Sequence, residues 1–312
     1  MKRVLNSRHF HRSLGLIAAL VLIAAVIFVF TRPLLAPELG VNELKNDSDS
    51  ANIETGATFD STVDSGKIGE KVKADSFLIF DEKTGKVIAE RNPDSAVAIA
   101  SITKLMTAYV TQKYGSLEDT WAVTSAGVID IKPVLGLAVG DRVKISDLVN
   151  AMLVGSANDA ASSLGTYIAS IKKMPAAEVM NKEAVALGMN STHYENPIGF
   201  DSEQNYSTAN DLKKLLDAIR PIALFSANDR KESYSFTGET GKTYSVQTTN
   251  KLLASDSEIH AIKTGYTDEA KGAMITSIHH GDMQFVIIVL ASPNREDDTK
   301  LLKSQVLSTL NN

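Results

Sequence analysis

Segments able to form buried strands gather at the two ends of the folded part of the chain, and that placement constrains the fold more than any single motif. Near the front, Phe77-Leu78-Ile79-Phe80 and Val87-Ile88-Ala89 flank the polar turn Asp81 to Lys86, which reads as a hairpin. Near the end, Ala273 to Ile278 and Met283 to Ala291 flank His279-His280-Gly281-Asp282, a second hairpin, and Glu296 to Leu310 reads as a closing amphipathic helix. The signals between them are helical. One helix is expected to open at Ser101 and carry Leu105, Met106, Ala108, Tyr109 and Val110, apolar nearly all round and therefore buried. Ser146-Asp147 caps a second over Leu148 to Val154, which Gly155 stops, and another begins after Ser156-Ala157-Asn158. Pro175 and Gly188 bracket the next, and Ser207 caps one running to about Ile219. Strands, then helices, then strands and a helix predict an α+β fold, an antiparallel sheet flanked by helices with an all-helical insert.

The first 71 residues stay outside that fold. Lys2, Arg3, Arg8 and Arg12 precede an uncharged apolar run from Leu14 to Phe30, 17 residues long, which meets the lower limit for a spanning helix. The cationic end belongs on the cytoplasmic side, so residues 1–13 are expected inside and 14–31 as a transmembrane signal anchor. Leu34-Leu35-Ala36 lacks the small residue a cleavage site wants two places before Ala36, which favours an uncleaved anchor over a signal peptide. Residues 32–71 read as a disordered linker: Val41 to Glu70 is rich in Asp, Ser, Thr, Asn and Gly, with Phe59 its one aromatic. Residues 72–312 are then a single extracytoplasmic catalytic domain.

Composition removes whole classes of chemistry. The 32 Lys and Arg against 37 Asp and Glu leave a formal charge of −5, so no nucleic-acid partner is expected. Zero Cys excludes disulfides, thiolate catalysis and Cys-ligated zinc. Any nucleophile is oxygen or nitrogen. Ser101-Ile102-Thr103-Lys104 puts a hydroxyl and an amine three residues apart, hence on one face of a helix and about a turn from each other. No His follows Ser101 within 80 residues, so Lys104 is the nearest base, provided burial and a neighbouring cation lower its pKa from about 10.4. The spacing alone says little, since Ser170-Ile171-Lys172-Lys173 repeats it at what reads as a solvated helix end. Ser156-Ala157-Asn158 falls in a break between two expected helices, where side chains can project into a cleft. Lys263-Thr264-Gly265 falls at the start of an expected strand and offers a cation, a hydroxyl and room for a ligand backbone. Lys83-Thr84-Gly85 is a decoy upstream of the Ser-x-x-Lys.

The order carries the weight. Ser-x-x-Lys, Ser-x-Asn 55 residues on, and Lys-Thr-Gly a further 107 on form the motif set of penicillin-binding proteins and class A β-lactamases. With Gly155 to Ala160, the stretch from Gly188-Met189 through Thr192-His193-Tyr194 to Asn196-Pro197-Ile198-Gly199, and Ile262 to Ala270, the chain resembles the serine D-alanyl-D-alanine carboxypeptidases. These are the low-molecular-mass penicillin-binding proteins of peptidase family S11. The resemblance covers about Asp75 to the C-terminus and implies a DD-peptidase/β-lactamase-like fold. It implies no cofactor and no metal, with the peptidoglycan stem peptide as substrate and β-lactam antibiotics as covalent inhibitors. It gives Ser101 the attack on the penultimate D-alanine carbonyl, Lys104 the proton, and Ser156 the relay to the leaving group. Asn158 would orient Lys104 and hold the peptide, Lys263 and Thr264 the terminal carboxylate, and Gly265 the close approach. The N–H groups of Ser101 and Tyr266 would form the oxyanion hole, and Arg295 is a further carboxylate-binding candidate.

This chain departs from the family pattern at Ala157, Tyr266 and Lys271, none of them a reacting group. Most members add a C-terminal β-domain and anchor helix; here the N-terminal segment is expected to serve as anchor. Three other activities share the motifs: a D,D-endopeptidase acting on cross-links, a β-lactamase, and a non-catalytic penicillin sensor. The β-lactamase needs a Glu in an E-x-x-L-N context after the second motif, and Glu195 and Glu203 do not supply it. Adjacent His279 and His280 point apart and are not expected to hold a metal; His193 reads as a structural hydrogen-bonder, Trp121 as packing, and Lys300 and Lys303 as a solvated face.

Overall fold

The computed structural model describes residues 68–310, and in it the two ends of this stretch build one sheet. The front hairpin is β1 (Ser76–Asp81) and β2 (Val87–Arg91), and the late strands are β9 (Ile259–Thr267), β10 (Lys271–His280) and β11 (Met283–Ser292). The spatial order is β2-β1-β11-β10-β9, all antiparallel, with β1 inserted beside β11 so that Phe77 faces Val289 and Ile79 faces Ile287 in the register. Every residue of β1 is buried, because both faces of the sheet are covered. Leu78 and Phe80 pack into the larger core, with the helical insert, while Phe77 and Ile79 pack into a second core on the other face, with Leu302 and Val306 of the closing helix. The expected α+β architecture is the observed one.

The insert contains α1 (Lys104–Tyr114), α2 (Ile145–Gly155), α3 (Asn158–Lys172), α4 (Ala176–Ala186), α5 (Ala209–Ile219) and the short α6 (Ala223–Ser226). The chain closes on α7 (Arg295–Leu310). Between β2 and β9 lie four short strands of two or three residues, paired as β3 (Val97–Ala98) with β6 (Tyr206–Ser207), and β4 (Thr120–Ala122) with β5 (Arg142–Lys144). The β7 (Ser233–Thr237) and β8 (Thr243–Gln247) hairpin packs on α2 and has no counterpart among the expected elements. Its alternation is half-polar and its strands are five residues long, too little apolar signal to register against the helices around it.

Several boundaries moved for local reasons. Ser101 does not open an α-helix; Ala100–Thr103 is a 3₁₀ turn that runs into α1 at Lys104. Ser207 is in β6, and Thr208 is the cap of α5, its hydroxyl accepting from the Asp211 N–H at 3.0 Å. Lys263 lies in the middle of β9 rather than at its start. Ile68 to Lys71, assigned above to the linker, form a turn: Ile68 is buried, and the Gly69 N–H donates to Gln305 Oε1 at 2.8 Å while Arg91 donates to Gly69 O at 2.6 Å. With Gln305 Nε2 donating to Glu70 O at 2.9 Å, one apolar side chain and three long-range hydrogen bonds hold four residues that composition alone leaves loose. Lys303 is not solvated. It is 11% exposed between Asp256 (2.6 Å) and Glu258 (2.7 Å), a clamp across α7 that pushes the amine's pKa up against the opposing effect of burial. The anchor and the rest of the linker fall outside the described residues, and none of the described helices is long and apolar enough to cross a membrane.

Thr208→Ala removes the cap from α5, whose Leu212, Leu215 and Leu216 enter the larger core, and is expected to cost about 1 kcal/mol. Urea unfolding should show a lower midpoint at unchanged slope.

Candidate active site

Backbone shape prepares the nucleophile before any side chain acts. Ala100, just before Ser101, sits at φ 47°, a left-handed conformation that costs a non-glycine residue of order 1 kcal/mol and persists where the surroundings impose it. Those surroundings are two glycines. Gly265 of β9 lies so close that a Cβ there would stand 2.9 Å from the Ser101 nitrogen, and Gly199, at φ +78°, would drive one into the Ala100 carbonyl. Strand and loop thus grip the 3₁₀ turn from two sides, and Ser101 is half-buried at its tip.

Lys104 follows one turn later and is 0% exposed. Its Nζ lies 2.7 Å from Ser101 Oγ and donates to the Ile198 carbonyl oxygen at 2.5 Å. That carbonyl is itself placed. Asn196 Oδ1 accepts from the N–H groups of Ile198, Gly199 and Phe200, and Thr107 Oγ1 donates to Pro197 O at 2.7 Å. Burial and, second, the neighbouring Lys263 hold the Lys104 amine well below its ordinary pKa. A buried ammonium without a carboxylate partner would lose several kcal/mol of hydration, so the group sheds its proton instead. A neutral amine has one lone pair. With an N–H committed to Ile198 O, that pair can face the serine hydroxyl.

Lys263, 2% exposed, donates to its neighbour's carbonyl, Thr264 O, at 2.8 Å. Its pKa is lowered to about 7, by burial first and the Arg295 guanidinium second. The Thr264 hydroxyl meets the Thr249 hydroxyl at 2.5 Å, and the Thr249 N–H donates to Val154 O, two residues before Ser156. The second and third motifs are therefore tied to each other through a residue the sequence reading did not single out. Ser156 is the left-handed cap (φ 58°) ending α2, which packs on both α1 and β9; it is 4% exposed, with no side-chain hydrogen bond. Gly155 does not end the helix by conformation. It is the last helical residue, and its missing Cβ admits Val246 of the β7–β8 hairpin.

Two candidates sit differently from what the resemblance implies. Asn158 begins α3, and its amide donates to Ile131 O at 2.8 Å, with no hydrogen bond to Lys104. With Asp159, which accepts from the N–H groups of Leu135, Gly136 and Leu137, it fastens the 131–137 loop beside the break. Arg295 donates to Gly265 O at 2.5 Å and pairs with Glu296 at 3.1 Å, so it bears on the backbone of the third motif. Tyr266 turns its side chain to solvent, 65% exposed. Gly199, Ile198 and Asn196 lie in a stretch the resemblance included without giving it a role; their importance depends on a carbonyl direction, which no residue type encodes.

Elsewhere, His279 stacks on His260 at 3.7 Å and His280 pairs with Glu258, and no group of described residues could hold a metal ion. His193 bridges Gln204 O and Asn181, and Trp121 packs edge-on against Tyr167.

Lys263→Met tests the electrostatics. An amine whose folded pKa is about 7 and unfolded pKa about 10.4 binds fewer protons folded than unfolded between those values, so its penalty is full below pH 7 and relieved as pH rises above it. Urea denaturation at pH 7 and pH 9 should show the variant more stable at pH 7 by a margin that shrinks by pH 9, by at most ~2.7 kcal/mol. A margin independent of pH would contradict the depressed amine.

Comparison with known proteins gives the family and the fold. A family model described as Peptidase S11, D-alanyl-D-alanine carboxypeptidase, matches residues 62–294. A D-alanyl-D-alanine endopeptidase of Pseudomonas aeruginosa is 33% identical over 226 residues, 70% of this chain and 72% of its own length. The carboxypeptidase DacC of Escherichia coli is 30% identical over 254 residues, 76% of this chain but 61% of that protein, so this chain spans about three fifths of the carboxypeptidase's length. The crystal structure of the Streptomyces K15 DD-transpeptidase superposes with a TM-score of 0.69 at 26% identity, covering 76% of this chain and 98% of that one.

Proposed function

Because the chain belongs to the S11 family of D-alanyl-D-alanine carboxypeptidases, we propose that it is a serine hydrolase that removes the terminal D-alanine from peptidoglycan stem pentapeptides through an acyl-enzyme. The observation that carries this is the buried Lys104 amine 2.7 Å from Ser101 Oγ, with its basicity lowered and no other base beside it. Ser101 Oγ attacks the penultimate D-alanine carbonyl while its proton passes to Lys104 Nζ. The oxyanion is taken up by the N–H groups of Ser101 and Tyr266. On collapse the C–N bond breaks, and the departing amine of D-alanine takes a proton relayed through Ser156. Water then attacks the ester, Lys104 accepts its proton, and Ser101 is released. Lys263, with the Thr264 hydroxyl, binds the terminal carboxylate; that bond stabilises the ammonium and raises its pKa in the complex. Arg295 acts through Gly265, holding the strand against the nucleophile.

A β-lactam presents a comparable carbonyl and carboxylate and would acylate Ser101 in the same way. The apolar run Leu14 to Phe30 behind a cationic end supports a membrane anchor with the catalytic domain on the extracytoplasmic side.

Ser101→Ala should abolish covalent labelling by fluorescent penicillin and release of D-alanine from a pentapeptide; labelling that persists would refute the assignment. Lys104→Ala should slow acylation ~10²–10⁴-fold with circular dichroism unchanged. In cell fractionation the full chain should sediment with membranes, and a chain starting at residue 32, given a cleavable export signal, should be released.

A further inference from the structure

The hydroxyl of the third motif is oriented from outside that motif. Thr264 is 4% exposed, and among the described residues its side chain makes a single hydrogen bond, to the Thr249 hydroxyl at 2.5 Å. The Thr249 side chain has that same bond and no other among the described residues. Thr249 lies just past β8, in a turn tied down residue by residue. The Thr248 N–H donates to Glu232 O at 2.7 Å, the Thr249 N–H to Val154 O at 3.3 Å and the Asn250 N–H to Thr248 Oγ1 at 3.2 Å. The buried Asn250 side chain in turn accepts from the Leu252 N–H at 2.9 Å. A hydroxyl mounted on such a turn is in place before any ligand arrives.

A threonine hydroxyl has one proton to give and two lone pairs to receive with, so of two hydroxyls in contact one donates and the other accepts. The inference rests on the function proposed above, in which Lys263 and Thr264 bind the terminal carboxylate. If Thr264 donated to Thr249, its lone pairs would face that carboxylate, which has no proton to offer in return. If Thr249 donates, the Thr264 proton is released toward the ligand, and a hydroxyl that already accepts one bond donates a stronger one. The carboxylate therefore selects the second direction. We propose that Thr249 is a positioning residue for substrate recognition: acting through Thr264, it fixes that hydroxyl as a donor and so favours acyl donors whose leaving group ends in a carboxylate. Its backbone has a separate task, the bond to Val154 O that links the turn to the end of α2 near Ser156. Loss of the hydroxyl alone thus weakens recognition of the carboxylate and leaves the link between the second and third motifs standing.

Thr249→Val keeps the side-chain shape and the backbone bond while removing the hydroxyl, and Thr249→Ser retains the hydroxyl. The experiment measures kcat/KM of purified wild type and both variants on two thioesters that share an N-acyl-D-alanyl group. They differ only in the thiol released, thioglycolate with a carboxylate or ethanethiol without one. Wild type should prefer the thioglycolate ester. Thr249→Val should cut that preference at least ~10-fold with the ethanethiol ester within ~2-fold of wild type, and Thr249→Ser should keep the preference within ~3-fold of wild type. An unchanged preference in Thr249→Val, an equal loss on both esters, or a serine variant no better than the valine one would overturn the proposal. Wild type that cleaves both esters equally well would overturn it too. Wild type that neither acylates with fluorescent penicillin nor cleaves either ester would instead defeat the function on which the inference rests.

Discussion

Two amines, Lys104 and Lys263, are held out of water, each with its pKa lowered first by burial and then by a neighbouring cation, and the rest of the molecule can be understood as what makes that arrangement tolerable. An isolated ammonium moved into the interior loses several kcal/mol of hydration, which no ion pair repays here, since neither amine has a carboxylate partner. Burial therefore converts a strong base into a neutral one at ordinary pH, and the fold has to contribute the stability that this conversion costs. It does so with two cores on opposite faces of one sheet, in which β1 and β11 are shielded on both sides.

The constraint spreads outward from Lys104 through specific contacts. Its N–H requires a carbonyl at Ile198; that carbonyl requires the Asn196 cap, and the loop requires Gly199 at positive φ against Ala100. Ala100 in turn accepts a strained conformation that aims Ser101. On the opposite side, Arg295 grips Gly265 O from the start of α7, so the helix covering the far face of the sheet also sets the strand that meets the nucleophile. At the site, Ala100 and Ser156 hold left-handed backbone and two buried amines lack a carboxylate partner, while the regular elements around it obey ordinary rules of capping and packing.

Much of this was legible in the residues. The apolar runs at both ends, the absence of Cys and the order of three short motifs were enough for an antiparallel sheet with a helical insert and for Ser101, Lys104, Ser156, Asn158 and Lys263 as candidates, because periodicity and residue type are written directly in the chain. The β7–β8 hairpin escaped, being half-polar and short, and the pairing of Lys303 with Asp256 and Glu258 escaped because those partners lie more than forty positions away.

What the sequence determined alone is the chemistry available: an alcohol three positions before an amine, no thiol, and a cation and hydroxyl far downstream. What only the tertiary structure decided is which of these groups work together. Proton affinity depends on surroundings: Lys104 and Lys173 each stand three positions after a serine, yet one is buried against the Ile198 carbonyl, and the other caps the end of a helix, exposed. Desolvation is a property of everything that packs around an atom, and no single stretch of chain carries it.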